Sequence, residues 1–361
     1  MNLETTAGNL QSAFRAIAGV AEPRNTIPVL GCARIGGGKI AVTNLDIHAS
    51  VKLPTAGKMK GSTAVDVRQL SNLAKHIDAD ETVTIGEAEG LASVKFNGSA
   101  YSLVSLPATD FPDAPEMPDG SPHTETGNAG LAAAVGRVMF AASTEATRYS
   151  LNGFSFRTFD GVQHVVATNG HRLAVEALPF IIDGAEGKIV HRKMAHLLVA
   201  RKQEPKAVTF GDRLARFEFD GLEFISKLIG GTYPDIERVV PKEARPVFSL
   251  DRVAALKILR RVAAFAINSG RAVKISKGDD GDLELSARSR GEFSCTEKLP
   301  GTILDQNFSG VGYNFNYLID SLSMFTGETV TFSTTSEIAA TPALMTCEAD
   351  TLRIVQMPMR V

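Results

Sequence analysis

Apolar positions recur along this chain with two periods, and the order of the two periods itself repeats. Leu10, Phe14 and Ile17, and again Leu70, Leu73 and Ile77, fall at three-to-four spacing, which puts each set on one face of an amphipathic helix. The same pattern predicts helices over 7–20, 66–78, 128–142, 191–203, 249–264 and 314–326. Between them apolar and polar residues alternate with period two, as in VVATNGHRLAVEALP from Val165 to Pro179, the signature of half-buried strands. Asn169-Gly170 between two apolar runs predicts a two-residue hairpin turn, because both residues tolerate positive φ, and makes His171 the start of the return strand. The run GGGK at Gly36–Lys39 reads as a second hairpin loop, since no helix follows it and the rest of a phosphate-binding loop is missing.

The order of elements occurs three times. KIAVTNLDIHASVKLP, HVVATNGHRLAVEALP and LELSARSRGEFSCTEKLP end at Pro54, Pro179 and Pro300, spaced by 125 and 121 residues. TVTI, AVTF and TVTF supply an independent anchor, with Val83, Val208 and Val330 spaced by 125 and 122. Two anchors with one period define three tandem copies of a unit, expected at 1–121, 122–244 and 245–361. Pro-rich polar stretches, PEMPDGSPHTETG and PKEARP, lie at the junctions. Helices packed on mostly antiparallel strands make the predicted fold class α+β.

A formal net charge of -2 argues against nucleic-acid binding when taken as a sum. Its distribution changes that picture. The six helical segments hold twelve Lys or Arg (Arg15, Arg68, Lys75, Arg137, Arg192, Lys193, Arg201, Lys202, Arg252, Lys257, Arg260, Arg261) against four Asp (Asp66, Asp78, Asp251, Asp320). That surplus of eight leaves a net of ten negative charges on the remainder. Helices made equivalent by a threefold repeat can share one surface, which attracts phosphate without reading sequence.

Cys32, Cys295 and Cys347 are far apart and odd in number, so neither a disulfide framework nor a metal site is expected. With no basic n-region before an apolar stretch and no long apolar run, the expected location is the cytoplasm, away from membranes. Thr168, His171 and Asp46 could be imagined as a triad, with Ser143 or Ser150 as nucleophiles. Yet the sequence has no GxSxG elbow, HExxH or Walker loop, and no cofactor is implied.

RYSLNGFSF from Arg148, VVATNGHRLAV from Val165, FISKLIGGTYPDIERVVP from Phe224, SLVSLPATDFPD from Ser102 and the terminal MPMRV from Met357 resemble the bacterial sliding clamp, the beta subunit of DNA polymerase III. With the three copies, the resemblance spans the whole chain. It implies a head-to-tail homodimeric ring around double-stranded DNA, gripped irrespective of sequence, which tethers the DNA polymerase III alpha subunit, the clamp loader and other proteins carrying clamp-binding motifs. It also implies a non-catalytic role. A clamp-like paralogue serving a plasmid, phage or repair polymerase is the alternative; a hydrolase using His171 is the reading from another class.

Carried over position by position, the resemblance implies a peptide-binding pocket of Leu151, Thr168, Gly170, His171, Arg172, Leu173, Pro234, Arg238, Val239, Val355, Met357, Pro358, Met359 and Arg360. Methionines suit a pocket that takes several apolar anchors, and Arg172, Arg238 and Arg360 are expected to donate to the peptide. Duplex contacts are implied at Arg24, Arg148 and Tyr149, with Arg137, Lys193, Arg201, Lys202, Arg260 and Arg261 as a basic lining. Tyr101, Leu103 and Phe265 match dimer-contact positions. The chain departs from the family pattern at Gln356, where an aliphatic residue is common, at Ser150, where some members carry a second tyrosine, and at Ser289-Arg290-Gly291, which replaces the Asn-Gly turn.

Overall fold

The computed structural model describes residues 1–22, 25–127, 129–266, 271–288 and 294–361, with the backbone alone for 265 and 266. Its first repeat runs β1 (Asn2–Thr6), α1 (Ala7–Ile17), β2 (Cys32–Gly36), β3 (Lys39–Thr43), β4 (Ile47–Lys52), β5 (Ser62–Asp66), α2 (Val67–Lys75), β6 (Thr82–Ala88), β7 (Leu91–Phe96) and β8 (Ser99–Leu106). The second runs β9 (His123–Glu125), α3 (Leu131–Val138), β10 (Gly153–Phe159), β11 (Val162–Thr168), β12 (Arg172–Ala177), β13 (Ile189–His191), α4 (Arg192–Ala200), β14 (Ala207–Phe210), β15 (Leu214–Phe219) and β16 (Leu222–Ile229). The third runs β17 (Arg245–Asp251), α5 (Arg252–Ala266), β18 (Ala272–Lys277), β19 (Leu283–Arg288), β20 (Ser294–Lys298), the short β21 (Gly301–Ile303), β22 (Gly310–Asn314), α6 (Phe315–Met324), β23 (Thr329–Thr334), β24 (Ala343–Thr346) and β25 (Arg353–Gln356). All three therefore share one order: strand, helix, strands, helix, three strands.

The helices are shorter than the apolar spacing predicts, because a strand feeds straight into every one but α3 and, in α1, α2, α5 and α6, its last polar residue caps the first turn. Thr6 Oγ1 accepts from the Asn9 N–H at 3.2 Å, Asp66 Oδ1 from Gln69 at 2.8 Å, Asp251 Oδ1 from Ala254 at 2.9 Å and Asn314 Oδ1 from Asn316 at 3.0 Å. These bonds satisfy amides that a helix leaves orphaned, so 249–251 end β17 instead of starting α5. After α3 the chain tightens to a 3-10 turn at Met139–Ala141.

The described residues form two compact units. In the unit of Met1–Ala132, Ile182–Ala185 and His196–Ile229, α1 packs on α2 with Leu10, Phe14, Ile17 and Leu70 buried. One sheet there runs through β9, β14, β15 and β16, then continues from the second repeat into the first by pairing β16 with β4. In the unit of Ala133–Ile181, Glu186–Ala195 and Gly230–Val361, α5 packs on α6, and Phe248 stacks on Phe332 at 4.6 Å in the core. There β10, β11 and β12 continue into the third repeat through β25, and β20, β19, β18 and β22 form a further sheet. Each sheet of the middle repeat thus belongs with a different neighbour.

The two-residue turn expected at Asn169-Gly170 is found elsewhere. Gly37 and Gly38, with φ of 59° and 74°, join β2 to β3 in that manner, as the GGGK run predicted. At Asn169 the loop is longer, with Thr168 paired to Leu173 and the return strand starting at Arg172. Side chains take over the turn: Asn169 Oδ1 accepts from the N–H groups of His171 and Arg172 at 2.9 and 3.1 Å, and Thr168 Oγ1 donates to the Arg172 carbonyl at 2.7 Å. The first repeat builds the same loop from Thr43 and Asn44, whose side chains bond Asp46, Ile47 and the Ile47 carbonyl. Leu45, at φ 73°, stands where Gly170 stands at φ 86°.

Candidate functional site

The loop after β11 forms one wall of a cleft of about 120 Å³ lined by Leu151, Thr168, Gly170, His171, Arg172, Leu173, Pro234, Ile236, Val239, Val355 and Met357. Ten of the fourteen residues expected in a pocket meet here. Arg238 lines a wider adjoining groove with Asp235, Glu237, Val240 and Lys242; its guanidinium pairs with Asp235 at 2.9 Å and stays exposed. Pro358, Met359 and Arg360 continue the chain from the wall at Met357 but do not line the cleft. Ile236 does, and it went unnoticed in sequence. Its only signal there is an apolar residue between the charges of PDIERVV.

Three contacts fix this cleft. Tyr233, buried, accepts the Thr168 N–H on its hydroxyl at 2.9 Å, anchoring the loop base; burial also pushes its phenol pKa well up, so it remains neutral. The Met357 N–H donates to the His171 carbonyl at 2.9 Å, tying the tail to the loop just past the β12–β25 ladder, where Arg172 faces Gln356. Further on, the Met359 N–H donates to the Gly312 carbonyl at 2.8 Å, and a side chain at Gly312 would collide with the Met359 carbonyl at 2.3 Å. Gly170 takes a left-handed φ that glycine adopts without strain, and a side chain there would have to displace the Arg148 guanidinium, 2.9 Å from a would-be Cβ.

Arg172, expected to donate to a peptide, is held by the protein's own groups in this structure. It is 8% exposed, with Nη1 on Asp320 Oδ2 at 2.7 Å and Nη2 on the Phe140 carbonyl. Its guanidinium lies over the rings of Tyr317 at 4.4 Å and Phe140 at 4.9 Å. Its two Nη atoms are held by the protein, while the buried Nε has no hydrogen-bond partner among the described residues, and the group ties the loop to α6. His171 stacks on Tyr317 at 6.2 Å, and no carboxylate or nucleophile is hydrogen-bonded to its ring among the described residues. Tyr317 and Asp320, invisible as site residues in sequence, therefore shape the cleft through Arg172 and His171.

Several residues of the expected basic lining have partners within the protein. Arg137 is bound to Glu176 at 3.3 Å and to Asp350, Arg261 to Glu297, and Arg201 lies half-buried 5.8 Å over the Phe219 ring, its pKa lowered by burial. Arg137 and Arg261 lie on helices as predicted, Arg201 just past the end of α4, and the periodicity gave no sign of their partners. Lys202 and Arg260 are exposed and Lys193 is half-buried. Arg148 pairs with Glu145 at 3.2 Å and donates to the Asn169 carbonyl at 3.0 Å, beside Tyr149 at 60% exposure. Tyr101 is 47% exposed and Leu103 half-buried on β8. Arg24, the side chain of Phe265 and the Ser289-Arg290-Gly291 turn lie outside the described residues. Among the described residues no cluster of His, Cys, Asp or Glu could hold a metal, and no helix is long and apolar enough to cross a membrane.

Three tandem α+β repeats, joined by sheets that run from one repeat into the next, define a DNA-clamp architecture. Family models for the DNA polymerase III beta subunit match it in order: the N-terminal domain at residues 1–115, the central domain at 127–235 and the C-terminal domain at 237–360. The chain belongs to the DNA polymerase III beta subunit family, the sliding clamps, which are non-catalytic processivity factors of DNA replication. It is 29% identical to the beta sliding clamp of Pseudomonas aeruginosa over 96% of each chain, and 28% identical to that of Caulobacter vibrioides over 100% of each. Among solved structures, the Pseudomonas aeruginosa clamp bound to griselimycin matches over 100% of both chains at 27% identity and a TM-score of 0.88. The Bartonella birtlesii clamp, also bound to griselimycin, does so at 26% identity and a TM-score of 0.91.

Proposed function

We propose that two copies of this chain close head to tail into a ring around duplex DNA, and that the cleft at Thr168–Leu173 tethers the replicative polymerase and other clients by short peptide motifs. The observation that carries the ring is a ladder used twice. At the first junction Leu222 faces Val51 and Ser226 faces Ile47; at the second Arg172 faces Gln356 and Val175 faces Arg353. Aligned on Leu53-Pro54, Leu178-Pro179 and Leu299-Pro300, β20 is the third counterpart of β4 and β12. Aligned on the β7–β8 and β15–β16 hairpins, β8 is the counterpart of β16. Neither β20 nor β8 from Ser99 to Val104 has a strand on its outer edge among the described residues. Open edges invite pairing, and one edge of each kind is what a head-to-tail assembly closes. Transferring the register pairs Ser99, Ala100, Tyr101 and Ser102 with Glu297, Thr296, Cys295 and Ser294 of the other copy.

The proposed domains are 1–121, 122–244 and 245–361. Arg24, Arg148, Tyr149, Lys193, Lys202 and Arg260 are the proposed DNA contacts, and Phe265 is placed with Tyr101 and Leu103 at the subunit contact. The cleft suits an extended apolar peptide because its walls are aliphatic and its one arginine is already occupied. A labelled peptide of the form Gln-Leu-x-Leu-Phe should bind at about micromolar Kd, roughly -8 kcal/mol. A chain lacking Met357 to Val361 should bind at least ~2 kcal/mol more weakly, the size of a hot-spot loss. Equal affinities would place the client site elsewhere.

A further inference from the structure

Arg137, a member of the expected DNA lining, is tied to two carboxylates, one on β12 and one in the turn before β25. Nη1 meets Glu176 Oε1 at 3.3 Å, and Nη2 meets Asp350 Oδ1. Glu176, on β12, is 5% exposed and also accepts the Thr351 hydroxyl at 2.6 Å. Asp350, its side chain 1% exposed, accepts the Thr326 N–H at 2.8 Å and hydroxyl at 2.9 Å. Arg252 closes the surroundings by donating to the Gly327 and Thr326 carbonyls.

The position of this cluster gives it a role. Asp350 and Thr351 lie in the turn before β25, separated from it by Leu352, and Glu176 follows Val175, which faces Arg353 at the first rung of the β12–β25 ladder. The last rung is Arg172 facing Gln356, after which Met357 enters the cleft wall through its bond to His171. One end of a four-rung ladder is thus held by ion pairs and the other end presents the wall, roughly 10 Å away at ~3.4 Å per residue. A buried carboxylate without a cation is costly, so removing the guanidinium leaves Glu176 and Asp350 facing each other and frees the start of β25.

We propose that Arg137, Glu176 and Asp350 form a positioning latch that sets β25, and with it the tail wall, for peptide binding, and that Arg137 is not a DNA contact. This rests on the cleft reading above, so the test carries a readout independent of peptide. In the full-length chain, Arg137→Met and Asp350→Asn should each weaken the Gln-Leu-x-Leu-Phe peptide about tenfold, with exchange of the Met357 amide proton accelerated to a similar degree without peptide. Arg137→Lys, which keeps the cation, should restore most of both. The slope of log DNA affinity against log salt should match wild type in Arg137→Met, whereas losing a phosphate contact lowers it by about 0.9. A lower slope with unchanged peptide affinity and Met357 exchange would overturn the proposal. Wild type failing to bind peptide would overturn the cleft reading, while Met357 exchange would still decide the latch: faster in Arg137→Met upholds it, unchanged ends it.

Discussion

Replacing Arg172 by Met separates a structural arginine from a ligand-binding one, because the two roles move different observables. Methionine keeps most of the apolar stem and removes the charge. The bond to Asp320 is lost, but Asp320 is 47% exposed, so solvent screening holds that contribution to about 1 kcal/mol. The Phe140 carbonyl loses its donor, for about 1–2 kcal/mol, and the cation above Tyr317 and Phe140 contributes roughly 0.5–1 kcal/mol for each ring. Because groups in one network are not additive, the expected loss is about 2–4 kcal/mol. Hydrogen exchange read by mass spectrometry should show protection of β12 and α6 falling by roughly 30-fold to 1,000-fold, the conversion of that range. Peptide affinity should fall in parallel as the loop loosens. Unchanged protection with peptide binding abolished would mean that Arg172 contacts the client directly, and the assignment to Asp320 and Phe140 would be wrong.

Other outcomes follow from the same geometry. His171→Ala, which removes a ring stacked on Tyr317, should weaken peptide binding by about 1 kcal/mol, with backbone circular dichroism unchanged. Direct DNA binding should be weak, indifferent to sequence and steeply lost between 50 and 200 mM salt, as for phosphate contacts generally; a strong sequence preference in competition assays would refute the sliding reading. His48 and His164 have pKa values lowered from 6.5, first by burial and then by Arg34 and Arg353 respectively. The unfolded chain therefore takes up protons that the fold resists, so their contribution to stability is full above about pH 6.5 and declines as pH falls below it. Urea midpoints at pH 7.5 and 5.5 should show a loss that His164→Gln reduces.

How much of this was legible in the sequence depends on whether a feature is periodic or depends on contacts. The repeat was, because Leu-Pro pairs and Thr-Val-Thr strands recur at fixed intervals in positions that every copy buries: Val83, Val208 and Val330 are all fully buried. The cleft was legible through resemblance. The Asn169 loop was misjudged in length because Thr168 and Asn169 bond their own backbone more effectively than a tight turn would. The sequence offers Arg137 and Arg261 as a DNA lining and Arg172 as a peptide donor, since nothing local in it announces Asp350, Asp320 or Glu297 as partners. Those pairs span 213, 148 and 36 residues. Charge patterning locates an arginine, but tertiary contact decides whether its charge is available.

Ring closure through β8 and β20 is tested most directly by its register. Cys32 and Cys347 are buried, and burial pushes the Cys32 thiol up to about 11, so the half-buried Cys295 is the thiol available to cross-link. Tyr101→Cys places a second thiol opposite Cys295 of the other copy. Mild oxidation should convert that variant to a covalent dimer reversible by reductant, while wild type remains separable in denaturant. A variant that stays monomeric under oxidation, with Ala100→Cys or Ser102→Cys cross-linking in its place, would contradict the register and the ring drawn from it.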